Sequence, residues 1–258
     1  MAWLKVVGTG PGKIDYLTLR AFSVLKQADV LVGYQRYIEL IKDGFSDKQM
    51  FDFGMGDEYL RAQKAVELYL SGLKVAVISG GDAGLYGIAS VVIEKMVELN
   101  VNFEKAEFEI VPGVTSATAV SNIFGSVITQ DFATISLSDY LVPWEEIEKR
   151  LTEFSKLDIS LAIYNPISSK RVWNFEKALE ILKKYRNLDT LVIVCENAYR
   201  DGENSFMVRL KDLEKEHVNM NTILIVCPST AKVIVNGQKS YVLVPRYYRK
   251  ESESIPKI

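Results

Sequence analysis

Eight apolar, strand-like runs recur along the chain, at residues 3–7, 29–33, 74–79, 107–111, 133–137, 159–164, 190–195 and 222–227, and most are separated by helical patterns. That alternation confines the chain to α/β architectures, because parallel strands need long crossovers, usually helices, which then cover both faces of the sheet. The helical signal is plainest at 84–99, where Ile88, Val92, Met96 and Leu99 share a face, and at 170–184, where Val172, Phe175, Leu179 and Leu182 do. A chain of 258 residues, 48% of them hydrophobic, can fill one large core or two ordinary ones. The segment "VPGVT", 111–115, joins a strand to the next helix near the middle and predicts a hinge. The expected organisation is two α/β domains with mainly parallel or mixed sheets, over 1–112 and 113–245, then a charged tail over 246–258. A last apolar run lies at 241–245.

Several function classes fall away early. The 31 basic and 33 acidic residues leave a net charge of −2, which supplies no general attraction to nucleic acid or to an anionic membrane. No apolar run approaches the ~20 residues that span a bilayer, and "MAWLKVVG" lacks the features of a signal peptide, so a cytoplasmic protein is expected. Cys195 and Cys227 each end a strand-like run without a C-x-x-C neighbour, which reads as two reduced, part-buried thiols. The single histidine, His217, lies in the polar segment "LEKEHVNMN". That argues against a Ser-His or Cys-His nucleophile pair and against a metal site, so no protein-bound metal is expected. The chemistry must come from carboxylates, tyrosines, amides, backbone groups or a reactive cofactor.

Glycine-rich loops at strand ends are the places for it. The first, "VVGTGPGK" at 6–13, alternates Gly8, Gly10 and Gly12 but is a poor dinucleotide clamp: Lys13 takes the sixth position of the Gly-x-Gly-x-x-Gly fingerprint, and Pro11 removes a backbone donor. The second, "ISGGDAGLYGIAS" at 78–90, lets Gly80 and Gly81 approach a ligand closely and offers the Asp82 carboxylate. In "PGVTSATA", 112–119, Thr115 and Ser116 are placed to cap a helix. "YNPISSKR", 164–171, and "CENAYRDGE", 195–203, each follow a strand with an amide-containing turn; Ser168 or Ser169 could be a simple N-cap.

Together with "GTGPGKIDYLTLRA", these loops resemble the tetrapyrrole methylase family, which transfers methyl groups from S-adenosylmethionine and leaves S-adenosylhomocysteine. The resemblance covers roughly residues 3–235. Within the family, "DFATISLSDYLVPWEEIEKRL", 131–151, and "YNPISSKR" look like the branch that methylates C17 of precorrin-3B or cobalt-factor III in cobalamin biosynthesis. The resemblance implies a cleft between two α/β domains, a homodimer and a tetrapyrrole substrate. By position it implies cofactor contacts from Pro11, Gly80, Gly81, Asp82, Leu85, Thr115, Ser116, Ala117, Asn165 and Ala198. Gln130 stands where relatives often have histidine, Ala198-Tyr199 where they tend to have small residues, and "VCPSTAK", 226–232, where an amide-containing segment is expected.

Methyl transfer from a sulfonium needs no protein nucleophile. The C17 branch couples it to ring contraction with loss of C20, which needs proton movement; Asp139, Tyr164, Asp131 and Glu196 are the candidates. The carboxylates of the macrocycle call for cations, for which Lys13, Arg20, Arg36, Lys170, Arg171 and Arg200 are placed in or near the loops. Any cobalt would arrive inside the macrocycle. The alternatives are a methylase acting at another ring carbon, a nicotinamide-dependent oxidoreductase and a non-catalytic ligand-binding module.

Overall fold

A computed structural model describes residues 1–168, 171–237 and 239–246. Lys170, Ser169 and the tail beyond Arg246 lie outside the described residues. In chain order the elements are β1 (Trp3–Gly8), α1 (Leu19–Gln27), β2 (Val30–Tyr34), α2 (Gln35–Ile41), β3 (Gln49–Phe53), α3 (Glu58–Leu70), β4 (Lys74–Ser79), α4 (Ala89–Glu98), β5 (Phe108–Val111) and α5 (Ser116–Phe124). There follow β6 (Gly125–Ser126), β7 (Phe132–Ser136), α6 (Trp144–Lys156), β8 (Ser160–Tyr164), α7 (Trp173–Tyr185), β9 (Leu191–Glu196), β10 (Asn204–Arg209), β11 (Thr222–Val226), β12 (Lys232–Asn236) and β13 (Lys239–Leu243). By its backbone contacts the chain forms two units, Met1–Ala119 with Asn197–Asn204, and Val120–Glu196 with the described residues from Ser205 onward.

The first unit is a parallel five-stranded sheet in the order β3-β2-β4-β1-β5. Alternate residues of its strands face opposite ways, as the period of two demands. Leu4, Val6, Val30, Val32, Val75 and Val77 pack with α3 and α4 through Ala62, Ala65, Val66, Val92 and Met96. Trp3, Val7, Leu31, Ala76 and Ile78 pack on the other face with α1 and α2 through Ala21, Val24, Leu25, Ile38 and Ile41. A sheet buried on both faces explains why its inner strands read as unbroken apolar runs.

The second unit carries the order β10-β9-β11-β8-β7 and a separate sheet β12-β13-β6. This sheet is mixed, the second of the two expected forms: β7 and β8 are parallel, but β11 runs antiparallel to both β8 and β9. Between β9 and β11 the chain holds only β10 and two short 3-10 turns, Leu210–Asp212 and Lys215–His217, so no crossover helix is there to return it parallel. One face of this sheet packs Leu161, Ile163, Val192, Val194, Leu224 and Val226 against Ile147 and Leu151 of α6 and Phe175, Ala178 and Leu182 of α7.

Two further boundaries move. The helix expected from 84 begins at Ala89, because the segment before it folds on the Asp82 side chain; the helix expected from 170 begins at Trp173. Strands β3, β10 and β12, absent from the expected runs, all lie at sheet edges, where one side meets solvent and the apolar signal thins.

Candidate functional site

In the first unit β1, β4 and β5 are neighbours, so the loops leaving their carboxyl ends are brought together, which is where open parallel sheets bind ligands. Gly10 and Gly81 exchange backbone hydrogen bonds, Gly10 N to Gly81 O at 3.0 Å and Gly81 N to Gly10 O at 2.8 Å. Thr9 donates from both its backbone N (2.9 Å) and Oγ1 (3.1 Å) to the Ser79 carbonyl. Nothing larger than glycine fits at the crossing point: a Cβ on Gly113 would lie 2.2 Å from Gly81 O, and one on Gly8 would lie 2.7 Å from Gly113 N. Gly81 itself, at φ +67°, leaves room on its outer side, with Thr115 Cα at 3.7 Å the nearest atom to a built Cβ. The result is a backbone-lined bowl of the kind a nucleoside can approach closely.

Asp82 stabilises the bowl. Its Oδ1 accepts from Gly84 N at 2.8 Å and Leu85 N at 3.1 Å, and its Oδ2 accepts from Gly113 N at 3.0 Å. The carboxylate thus ties the second loop to the third, with one of its roughly four lone-pair sites left for a ligand donor. Within the same loop Tyr86 adopts φ +55°, an outlier for a bulky residue and a local strain. Helix α5 starts at Ser116, so Thr115 occupies the N-cap position, and its carbonyl accepts from Ala119 N at 3.1 Å. Ala117 is fully buried behind it.

The loop Asn197–Asn204 groups with this unit because its side chains dock there. Arg200 Nε donates to the Pro11 carbonyl, Tyr199 stacks on Tyr16 with ring centroids 4.4 Å apart, and Lys13 pairs with Asp201 at 3.2 Å. Asn197 and Tyr199 both take left-handed backbone, at φ +51° and +58°. Pro11 and Ala198 are buried. The Tyr37 ring lies over Gly80, whose Cβ would sit 2.6 Å from it, and meets Tyr34 edge-on at 5.2 Å. Nine of the ten implied cofactor residues therefore belong to this unit; Asn165 belongs to the second.

In the second unit the residues following β7 and β8 are tied by side chains. Arg171 donates from Nη1 to Ser138 Oγ (2.5 Å) and Asp139 Oδ1 (3.1 Å), and from Nε to Ser168 Oγ (3.0 Å). Asp139 is thus an ion-pair partner of Arg171. Asn165, left-handed at φ +51°, donates to Ser136 Oγ at 2.9 Å beside Tyr164, whose carbonyl accepts from Leu137 N. Glu196 ends β9 opposite Thr222. Asp131 is exposed and lines a cavity of about 50 Å³ with Gln130, Asp158 and Thr230, well below the roughly 300–1,000 Å³ of a small-molecule site. Gln130 donates to the Pro245 carbonyl. Of the candidate cations, Arg20 on α1 forms a two-point contact with Glu109, and that pair holds the Glu109 carboxyl at about 2.

Both cysteines are buried and free, and burial pushes the Cys227 thiol up to about 12, leaving it an inert thiol. His217 accepts from Glu214 N through Nδ1 at 3.1 Å, closing a 3-10 turn. Among the described residues no cluster of three His, Cys, Asp or Glu side chains could hold a metal ion. Sequence reasoning missed Tyr37 and the crossing role of Gly113. The first stands in "VLVGYQRY", three residues past the end of β2 and in the first turn of α2.

A family model described as Tetrapyrrole (Corrin/Porphyrin) Methylases matches residues 4–214. A protein of Priestia megaterium named cobalt-factor III methyltransferase is 38% identical over 249 residues, 96% of this chain, which spans only 45% of that longer protein. A Salmonella typhimurium protein named probable cobalt-factor III C(17)-methyltransferase is 36% identical over 95% of this chain and 99% of its own length. The crystal structure of the methyltransferase CobJ superposes with a TM-score of 0.85 at 30% identity, covering 93% of this chain and 99% of that one. The chain belongs to the tetrapyrrole (corrin/porphyrin) methylases.

Proposed function

We propose that this chain methylates C17 of a tetrapyrrole macrocycle, cobalt-factor III or precorrin-3B, from S-adenosylmethionine, with contraction of the ring at C20, in cobalamin biosynthesis. The observation that carries the reading is the near end-to-end similarity to C17-methyltransferases, together with the glycine bowl of the first unit. The residues fit the cofactor: Gly81 leaves its backbone open, Asp82 keeps acceptor capacity, and Thr115–Ala117 open a helix whose first-turn N–H groups are donors. When bound, S-adenosylmethionine supplies an electrophilic methyl on a sulfonium whose leaving group is a neutral thioether.

The protein's own contribution is placement, and orienting two reactants can lower a barrier by roughly 7–11 kcal/mol. A bowl tied by the Gly10–Gly81 pair and the Asp82 staple suits that task. Proton transfer during contraction falls to Asp139 or Tyr164 first, with Asp131 and Glu196 behind them. Gln130 hydrogen-bonds but exchanges no proton near neutral pH. The reading further includes a cytoplasmic homodimer; among the described residues no helix is long and apolar enough to cross a membrane. Light scattering tests the dimer.

The decisive experiment is anaerobic incubation with labelled S-adenosylmethionine and each macrocycle, read by mass spectrometry and NMR. The expected product carries the label at C17 and has lost C20 from the ring. Methylation at another carbon, or no turnover of either macrocycle, would overturn the reading.

A further inference from the structure

We propose that Arg200 and Tyr37, beside the Gly80–Asp82 loop, form a binding site for one carboxylate group of a bound small molecule. The proposal rests on the methyltransferase reading for its two sources of that carboxylate: an acidic side chain of the macrocycle, or the amino-acid end of the cofactor.

Arg200 differs from Lys13, Arg20 and Arg171. Lys13 pairs with Asp201, Arg20 with Glu109 and Arg171 with Asp139, so each has an acid of its own. Among the described residues no carboxylate comes within ion-pair distance of Arg200; its electrostatic neighbours are the Tyr37 hydroxyl and a second guanidinium, Arg36. Burial and the nearby Arg36 both push its pKa below the ordinary guanidinium value. Arginine nonetheless stays charged in proteins, and a part-buried charge without a counter-ion is costly. A carboxylate ligand removes that cost.

The side chain is also held for the task. Nε donates to the Pro11 carbonyl, and Gly12 at φ +140° makes room for it, since a Cβ there would fall 2.8 Å from that Nε. With Nε committed, the two terminal nitrogens remain as the fork that fits a carboxylate. The guanidinium carbon lies 6.0 Å from the centre of the Tyr37 ring. Burial raises the pKa of Tyr37, so its hydroxyl remains a donor rather than an acceptor-only phenolate. The ring is pinned over Gly80, which links the site to the second glycine loop.

The test uses the full chain with Arg200→Gln and, because Arg200 also anchors Pro11, Tyr37→Phe, which keeps the ring on Gly80. Three ligands are titrated: S-adenosylhomocysteine by calorimetry, and cobalt-factor III and the octacarboxylate uroporphyrin III by anaerobic absorbance. Arg200→Gln is expected to weaken one class of ligand by about 10-fold or more and Tyr37→Phe the same class by about 3-fold or more, the other class staying within about 2-fold. Loss confined to the macrocycles assigns the carboxylate to the substrate; loss confined to S-adenosylhomocysteine assigns it to the cofactor. If the unaltered chain ignores cobalt-factor III but binds either other ligand in an Arg200-dependent way, the cobalt-factor III form of the C17 reading fails and the carboxylate site stands. Unchanged affinities in both variants, or equal losses for all ligands with a lowered melting temperature, overturn the site.

Discussion

The two units solve the problem of holding a loop still in opposite ways. In the first, Gly8, Gly81 and Gly113 press backbone on backbone, and the Asp82 side chain accepts three backbone N–H groups. In the second, the loops hang from side chains: Arg171 on Ser138, Asp139 and Ser168, Asn165 on Ser136, and Asn174 on the Leu137 carbonyl. A backbone-built loop leaves its outer surface bare for a ligand that must be approached closely, but a single added methyl breaks it. A side-chain-built loop tolerates single losses and can move protons or charge.

The comparison breaks first at Gly113. Gly113→Ala drives a Cβ into the Gly81 carbonyl and is expected to cost about 3 kcal/mol in urea unfolding, whereas Gly84→Ala, whose Cβ would meet only Asp82 Oδ1 at 3.4 Å, should stay within about 0.5 kcal/mol. Equal costs at the two glycines would mean that the crossing is not close-packed. Asp82→Asn exchanges a charged acceptor of three bonds for an amide with one acceptor oxygen. Binding of S-adenosylhomocysteine should weaken about 10-fold while the melting temperature falls by a few degrees.

In the second unit, Asp139→Asn retains an oxygen for Arg171, so stability should change by less than about 1 kcal/mol. Product analysis at saturating cofactor should nonetheless show ring contraction impaired, with cofactor affinity unchanged and Gln130→Ala having the smaller effect. Normal contraction by that variant would move the proton-transfer role to Tyr164. The smallest effect concerns Glu109 in the first unit, held at about 2 against an ordinary value of 4.5, chiefly by its hydrogen bond from Arg20 and then by Lys5. Because the unfolded chain takes up this proton first, the contribution is complete above about pH 4.5 and disappears as the pH falls toward 2. Solvent screens the half-exposed Arg20, so the gain is modest. Glu109→Gln should flatten the acid limb of the urea midpoint against pH; an unaltered limb would remove Glu109 from the account.

Much of this was legible from the chain alone. Six of the eight apolar runs mark inner strands, which are buried, while the other two are β5 and β7 at sheet edges, and the glycine loops are visible because each follows such a run. The loop motifs also carried the family resemblance. Less legible were β3, β10 and β12, whose edge positions relax the apolar pattern, and the antiparallel course of β11, which depends on what the β9–β11 connection lacks rather than on anything β11 contains.

Local sequence determined which residues could lie at strand ends, since periodicity and turn chemistry act within a few residues. Only the tertiary structure decided which of those ends meet. Gly113 is indispensable because Gly81 crosses it, Asp82 is a staple because Gly113 N lies 3.0 Å from Oδ2, and Arg200 is distinctive because no acid of the described chain reaches it. Each is a relation between residues tens of positions or more apart, set by strand order and packing, and no pattern local to either partner encodes it.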